Sequence, residues 1–365
     1  MVEDTARPHP RRLPVLSTDP RDFPLREPDR RFAYGLRFAS DFPLPELAPG
    51  DNGESDVRVE LAAPIAREDA ARLLAPEAPV QNAMRFGEGD AMLFFSDIGR
   101  FSVSQGNHIV VEPLEGTGEL SWRLPLLGSV LALLLEGRGM FVLHGGAARF
   151  LDADGEFMAA GFLGDKGAGK STLCAALARR DHPLFCDDAL ALPPDSLLVP
   201  PGFAQMKLLP DAVQSAVGQS PDAFALVAPE VAEVLKHAVP APLALQAAPL
   251  RHLFLLAWSD AADSQTVRFT RLNAGEALRE LFPHTFGARF GPLYLRGERQ
   301  KSHFRALSRV ANQVAVWRLE RKRDLNELER ICEAVERLIS FGGSPGAENA
   351  WEGQEGALAG QRRAS

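Results

Sequence analysis

Residues 164–171 read Gly-Asp-Lys-Gly-Ala-Gly-Lys-Ser, and no other stretch restricts the fold of this chain so tightly. Three glycines in six positions need firm elements on both sides, because glycine loses the most conformational freedom on folding. The apolar segment 157–163 precedes the loop, and the helix-forming STLCAALARR follows it. Strand, loop and helix are the context that G-x-x-x-x-G-K-[ST] requires. In that context the backbone N–H groups of Gly164, Asp165, Lys166, Gly167, Ala168 and Gly169 turn inward around the α- and β-phosphates of a nucleotide. Lys170 then reaches the β/γ oxygens and Ser171 ligates Mg²⁺. Ser171 and Thr172 open the helix, whose N-terminus adds partial positive charge. The expected cofactors are ATP and Mg²⁺.

Asp187 and Asp188 lie 17 and 18 positions after Lys170, at the end of a short apolar segment. A single crossover would return them to the phosphate end of a sheet. One carboxylate there can support Mg²⁺ while the other accepts a proton from an attacking hydroxyl. The chain has no N-K-x-D stretch of the kind that reads guanine, which argues against a GTPase. His144, in Leu143-His144-Gly145-Gly146, falls on the strand before the loop strand, and its glycines permit close backbone approach. Lys207 is a lone cation in an apolar stretch. Arg289, Lys301, His303 and Arg305 read as surface cations more readily than as site residues.

The pattern along 365 residues divides the chain into four parts. Residues 1–30 hold six prolines without periodicity and are expected to be disordered, as is the Gly/Ala-rich tail 341–365. Residues 31–120 read as a small β-rich N-terminal domain. Phe32, Tyr34, Leu36 and Phe38 alternate as one strand face, as do Val57, Val59 and Leu61. Three more strands fall within 91–112, separated by turns at Asp97-Ile98-Gly99 and Gly106-Asn107. Residues 121–340 change to α/β grammar. Strands are expected at 140–150, 157–163, 183–186, 251–258 and 314–319, and a closing helix at 325–339 with Asp324 and Glu327 as a capping box.

A net charge of −8 gives no general attraction to nucleic acid or anionic lipid, and neither is expected as a partner. Self-association into a homo-oligomer stays open. The apolar run from Leu124 to Leu135 contains Pro125 and Gly128 and falls short of the roughly 18 to 20 residues that span a bilayer, so it reads as a buried helix. Three separated cysteines suggest reduced thiols. With no secretory stretch at the N-terminus, a cytoplasmic location is expected.

Taken together, LHGGAARF, GFLGDKGAGKS and HPLFCDD resemble the C-terminal catalytic domain of HPr serine kinase/phosphorylase, in order and in spacing. The resemblance implies an α/β P-loop core of the HPr kinase and phosphoenolpyruvate carboxykinase type. It also implies a catalytic role for His144 and Lys170, with the pair Asp187 and Asp188 supplying Mg²⁺ contact and the acid/base group. The Gly-Arg-Asn stretch that HPr kinases carry after the aspartates has no counterpart, so the resemblance does not extend to HPr as acceptor or to phosphorylase activity. FAYGLRFASDFPLPEL, PGFAQMKLLPD and VAVWRLERKRDLNELE are similar to stand-alone HPr-kinase-like proteins of bacterial gene clusters. Some of those accompany lasso-peptide biosynthesis and phosphorylate a serine of the precursor peptide. The implied reaction is transfer of the γ-phosphoryl of ATP to a serine of a peptide or small protein. A nucleotide-binding switch or assembly ATPase, and a small-molecule kinase, remain as alternatives.

Overall fold

The computed structural model describes residues 27–69, 82–87, 89–229, 235–259 and 267–340. The expected disordered tail 341–365, and residues 1–26 of the expected disordered leader, lie outside them. Asp29 and Arg30, assigned to that leader, instead open the first strand. Their side chains explain it: Asp29 Oδ2 takes a hydrogen bond from Arg31 Nε at 2.8 Å and another from the Leu44 N–H at 2.7 Å.

The chain is mixed α/β. Eight strands make one mixed sheet: β1 (Asp29–Ala33), β2 (Leu36–Ser40), β3 (Ala48–Pro49), β4 (Val57–Leu61), β5 (Asn82–Phe86), β6 (Asp90–Phe95), β7 (Gly99–Ser104) and β8 (His108–Pro113). Their order is β3-β1-β2-β4-β8-β7-β6-β5. The turns at Asp97-Ile98-Gly99 and Gly106-Asn107 separate β6, β7 and β8 where the sequence places them. The aromatic alternation from Phe32 to Phe38 is not one strand. Tyr34 and Gly35 both take positive φ, 57° and 77°, and make a tight turn between β1 and β2. A two-residue turn of that hand matches the twist of antiparallel strands.

Helix α1 (Glu119–Gly137) links the two halves. It is the one described helix long and apolar enough to cross a bilayer, with mean hydropathy 1.3 over its most apolar stretch, of which 72% is buried in protein. It exceeds the short run expected from sequence because its middle turn, Leu126–Val130, is π-helical and carries the helix on past Pro125. Its leucines join Phe38, Val57, Phe101 and Val111 of the first sheet to Val142 and Ala189 of the second in one core.

The second sheet is built on β9 (Phe141–Leu151), β10 (Phe157–Leu163), β11 (Leu184–Cys186), β12 (Ala189–Leu192), β13 (Leu198–Val199), β16 (Ala248–Trp258), β17 (Arg268–Arg271) and β18 (Ala315–Arg321). β14 (Gln205–Leu208) and β15 (His237–Pro240) pair separately. The main order is β11-β9-β10-β16-β18-β17, with β10, β16 and β18 parallel. Alternate residues of these strands face opposite ways, so the sheet buries both faces. Phe162, Phe254 and Trp317 pack on α2 (Lys170–Arg179) and α6 (Leu328–Ser340). Leu163, Leu253 and Val316 pack on α3 (Ala274–Leu281) and α5 (Gly297–Gln313). Short α4 (Phe286–Arg289) lies between those two. The expected capping box at Asp324 is half made: its side chain accepts from the Asn326 N–H, and a 3₁₀ turn, Leu325–Glu327, precedes α6. A full box stands at Asn273 and Glu276, where the sequence reading had placed none.

Candidate functional site

The glycine loop runs off the end of β10 and into α2. Gly167 and Gly169 have φ of 85° and 80°, which a side chain would strain. Gly164 has no room for one, since a Cβ there would fall 2.9 Å from the Leu256 carbonyl oxygen. Asp165, Lys166 and Gly167 are exposed at the tip, and Ala168 is buried beneath them. The Lys170 ammonium folds back over the loop and donates to the carbonyls of Gly164 at 2.8 Å and Asp165 at 3.3 Å. Burial lowers its pKa, against the charges of Asp188 and Asp187. Ser171 and Thr172 follow, half-buried, in the first turn of α2.

The crossover through α2 returns the chain along β11, which pairs antiparallel with β9 and so runs parallel to β10. Asp187 and Asp188 therefore leave the sheet beside the loop. Ser171 Oγ donates to Asp187 Oδ2 at 3.1 Å, while Asp187 Oδ1 is buried without a hydrogen-bond partner. Burial, then the charge of Asp188, pushes the Asp187 carboxyl up to about 6.

Asp188 takes the opposite course. Burial raises it, but Lys207 and His144 overcome that and hold the carboxyl well below the usual carboxylate range. Lys207 Nζ, on β14, lies 3.0 Å from Oδ2, and His144 Nδ1 lies 3.1 Å from Oδ1. The His144 contact is at ion-pair distance without the alignment of a hydrogen bond. The ring is also set edge-on against Phe286, 5.5 Å between centroids. Burial lowers the His144 pKa, and the charges of Arg289 and Lys170 add to this while Asp188 opposes it.

The glycines after His144 are spent on packing. A Cβ on Gly145 would strike Leu163 and the Phe162 carbonyl, and one on Gly146 would lie 2.5 Å from Cys174 Sγ. Gly128, in the π turn of α1, faces Asp188 Oδ2 at 3.7 Å from its would-be Cβ. Cys174, Cys186 and Cys332 are all free and buried.

Lys207, which the sequence marks only as a lone cation in an apolar stretch, is the principal counter-charge of the pair. Sequence reasoning overlooked Tyr34. From the β1–β2 turn this residue donates its N–H to the Pro201 carbonyl at 2.7 Å and its hydroxyl to the Ala189 carbonyl at 3.1 Å. A Cβ on Gly202 would fall 2.5 Å from its ring, so the fit is close. The only sequence signal was Gly35, which marks a turn in an otherwise alternating run. Arg289 is exposed, yet near enough for its charge to act on Lys170 and His144. Lys301 and Arg305 are exposed. His303, read as surface, is buried against Phe141 and Phe282 because α5 turns that face inward.

The oxygen set suits a hard cation. Mg²⁺ takes one or two carboxylates and completes its shell with water and phosphate oxygens. Ser171 Oγ and the unpartnered Asp187 Oδ1 fit that chemistry, and the cradle of glycine N–H groups fits phosphate. No cluster of three or more His, Cys, Asp or Glu side chains able to hold a metal by protein ligands alone occurs among the described residues. No protein-family model matches the chain, and no curated protein matches it.

Proposed function

We propose that the chain is an ATP- and Mg²⁺-dependent P-loop kinase of the HPr-kinase-like type. Its acceptor is a serine hydroxyl of a peptide or small protein in the cytoplasm. The observation that carries this reading is the division within the aspartate pair. Asp187 is tied to the loop serine with one buried oxygen left over, and Asp188 is held ionised beside it by Lys207 and His144.

MgATP, when bound, would supply the γ-phosphoryl group, and the metal would offset phosphate charge. Lys170 would exchange its loop carbonyls for phosphate oxygens, and Ser171 with Asp187 would hold the metal. Asp188 keeps about a quarter of its side chain exposed, so it is the carboxylate an acceptor can reach. It orients the serine hydroxyl and takes its proton as the new phosphorus–oxygen bond forms and the β–γ bridge breaks. His144 and Lys207 fix its direction. A loose transition state asks positioning of this base more than strength, so its low pKa is no obstacle. A switch protein would need no ionised carboxylate turned toward an acceptor.

The test is incubation of the purified protein with γ-labelled ATP and the peptides encoded beside it. Phosphoserine in one of them is expected. Release of inorganic phosphate with no labelled acceptor would overturn the kinase reading in favour of the switch.

A further inference from the structure

The glycine loop has two flanks. The aspartate pair, His144 and Lys207 occupy one. The other is made by the ends of β16 and β18, and the transfer step leaves it unused. Leu163 pairs with Leu255 and Trp258 with Arg321 along the parallel strands. β16 therefore continues three residues past the start of the loop, roughly 10 Å at strand rise. That brings the indole of Trp258 to within 3.6 Å of where a Cβ on Gly169 would stand.

Arg321 lies over this indole, 4.2 Å from guanidinium carbon to ring centroid. It is 3% exposed, and it donates to the carbonyls of Ala168 and Ala257. Burial pulls its pKa down to about 10. Among the described residues no anion pairs with this buried cation, an arrangement that is costly, and it stands against the loop that would bring one. Arg323, exposed, lies 5.9 Å from the same ring. An aromatic plane and two guanidinium groups thus gather at the carboxyl ends of parallel strands, where open α/β sheets take their ligands.

We propose that this flank seats the nucleoside end of the nucleotide, its base against Trp258 and Arg323 and its phosphate side toward Arg321, so that the enzyme accepts adenine and guanine nucleotides alike. The inference rests on the phosphate-loop reading above. Stacking and charge recognise the π face that every base shares, and they discriminate weakly among bases.

Isothermal titration with the Mg²⁺ complexes of ATP, GTP and inorganic tripolyphosphate tests it. Wild type should bind the two nucleotides within tenfold of each other and both more tightly than tripolyphosphate. Trp258→Ala should lose about tenfold for either nucleotide and nothing for tripolyphosphate, and Trp258→Phe should regain most of the loss. Unchanged ATP affinity in Trp258→Ala, or a base preference above tenfold, overturns the proposal. Should that variant not fold, quenching of tryptophan emission by ATP, present in wild type and missing from Trp258→Phe, supports it, and no quenching in wild type refutes it. If wild type binds none of the three, the phosphate-loop reading itself fails and this inference with it. Tripolyphosphate binding without a Trp258 effect removes the base seat alone.

Discussion

Asp188 lies beside the π turn of α1 and Glu136 stands near that helix's own end, yet of these two carboxyls only Asp188 stays ionised at neutral pH. Asp188 meets Lys207 and His144, which drive its pKa down. Glu136 meets a backbone N–H, that of Val142 at 3.1 Å, and burial raises it to about 8. Its neighbourhood is a cleft of about 420 Å³ shared with Phe141, Tyr294, Arg299 and His303. Both ring nitrogens of His303 lack partners there, and burial pushes its pKa down to about 4. One region keeps its buried charges by pairing them, and the other gives charge up. The difference lies in the partners: counter-charges hold Asp188 ionised, whereas burial without one leaves Glu136 neutral.

The largest effect should come from removing charge on the paired side. Asp188→Asn and Asp187→Asn are each expected to slow phosphoryl transfer by about 10² to 10⁴ while ATP affinity falls far less. Single-turnover rates beside titration measure both. Wild-type transfer in both variants would erase the distinction between the two regions. Next comes Lys207→Met, which leaves Asp188 buried without its main counter-charge. A loss of about 2–3 kcal/mol in urea unfolding is expected, discounted from a fully buried pair because Asp188 is partly exposed, and Lys207→Met with Asp188→Asn should recover part of it.

On the neutral side the effects are smaller and depend on pH. Glu136 binds its proton more tightly folded than unfolded, where its pKa is 4.5. Its contribution is therefore full below about pH 4.5, fades as pH rises, and is spent above about 8. Glu136→Gln keeps the acceptor for the Val142 N–H and should flatten that decline, by at most about 1.4 kcal/mol per pH unit. Melting temperatures from pH 5 to 9 check it, and parallel curves for the two proteins would show that Glu136 is ionised after all. The smallest change is expected of His303→Leu, which removes two unsatisfied nitrogens. Stability should hold within about 1 kcal/mol or rise, by denaturant titration.

Much of this was legible in residue order because it is local. β6 to β8 follow from alternation and turn residues, β9 and β10 fall within a residue of the expected segments, β16 starts three residues before its segment and β18 ends two after it, and the loop follows from its motif. Asp187 and Asp188 could be placed beside it because a single crossover has few ways to return. What stayed hidden depends on partners remote in the chain. Lys207 carries no mark of Asp188, and Arg321 gives no sign of the loop carbonyl 153 residues away that it holds. Tyr34 satisfied a strand pattern perfectly well, and only its positive φ, invisible in the alternation, turns it toward the aspartates. His303 fell on a polar helix whose buried face was too narrow to announce itself.

The Tyr34 contact also imposes an order on biosynthesis. Its hydroxyl seeks a carbonyl 155 residues further on. At about 5 to 20 residues per second, a ribosome delivers that carbonyl roughly 8 to 30 s later. The hairpin is thus finished long before its socket exists, with a tyrosine that must wait in solvent. The tip of the first sheet therefore finds its socket only once residues 185–203 have been made.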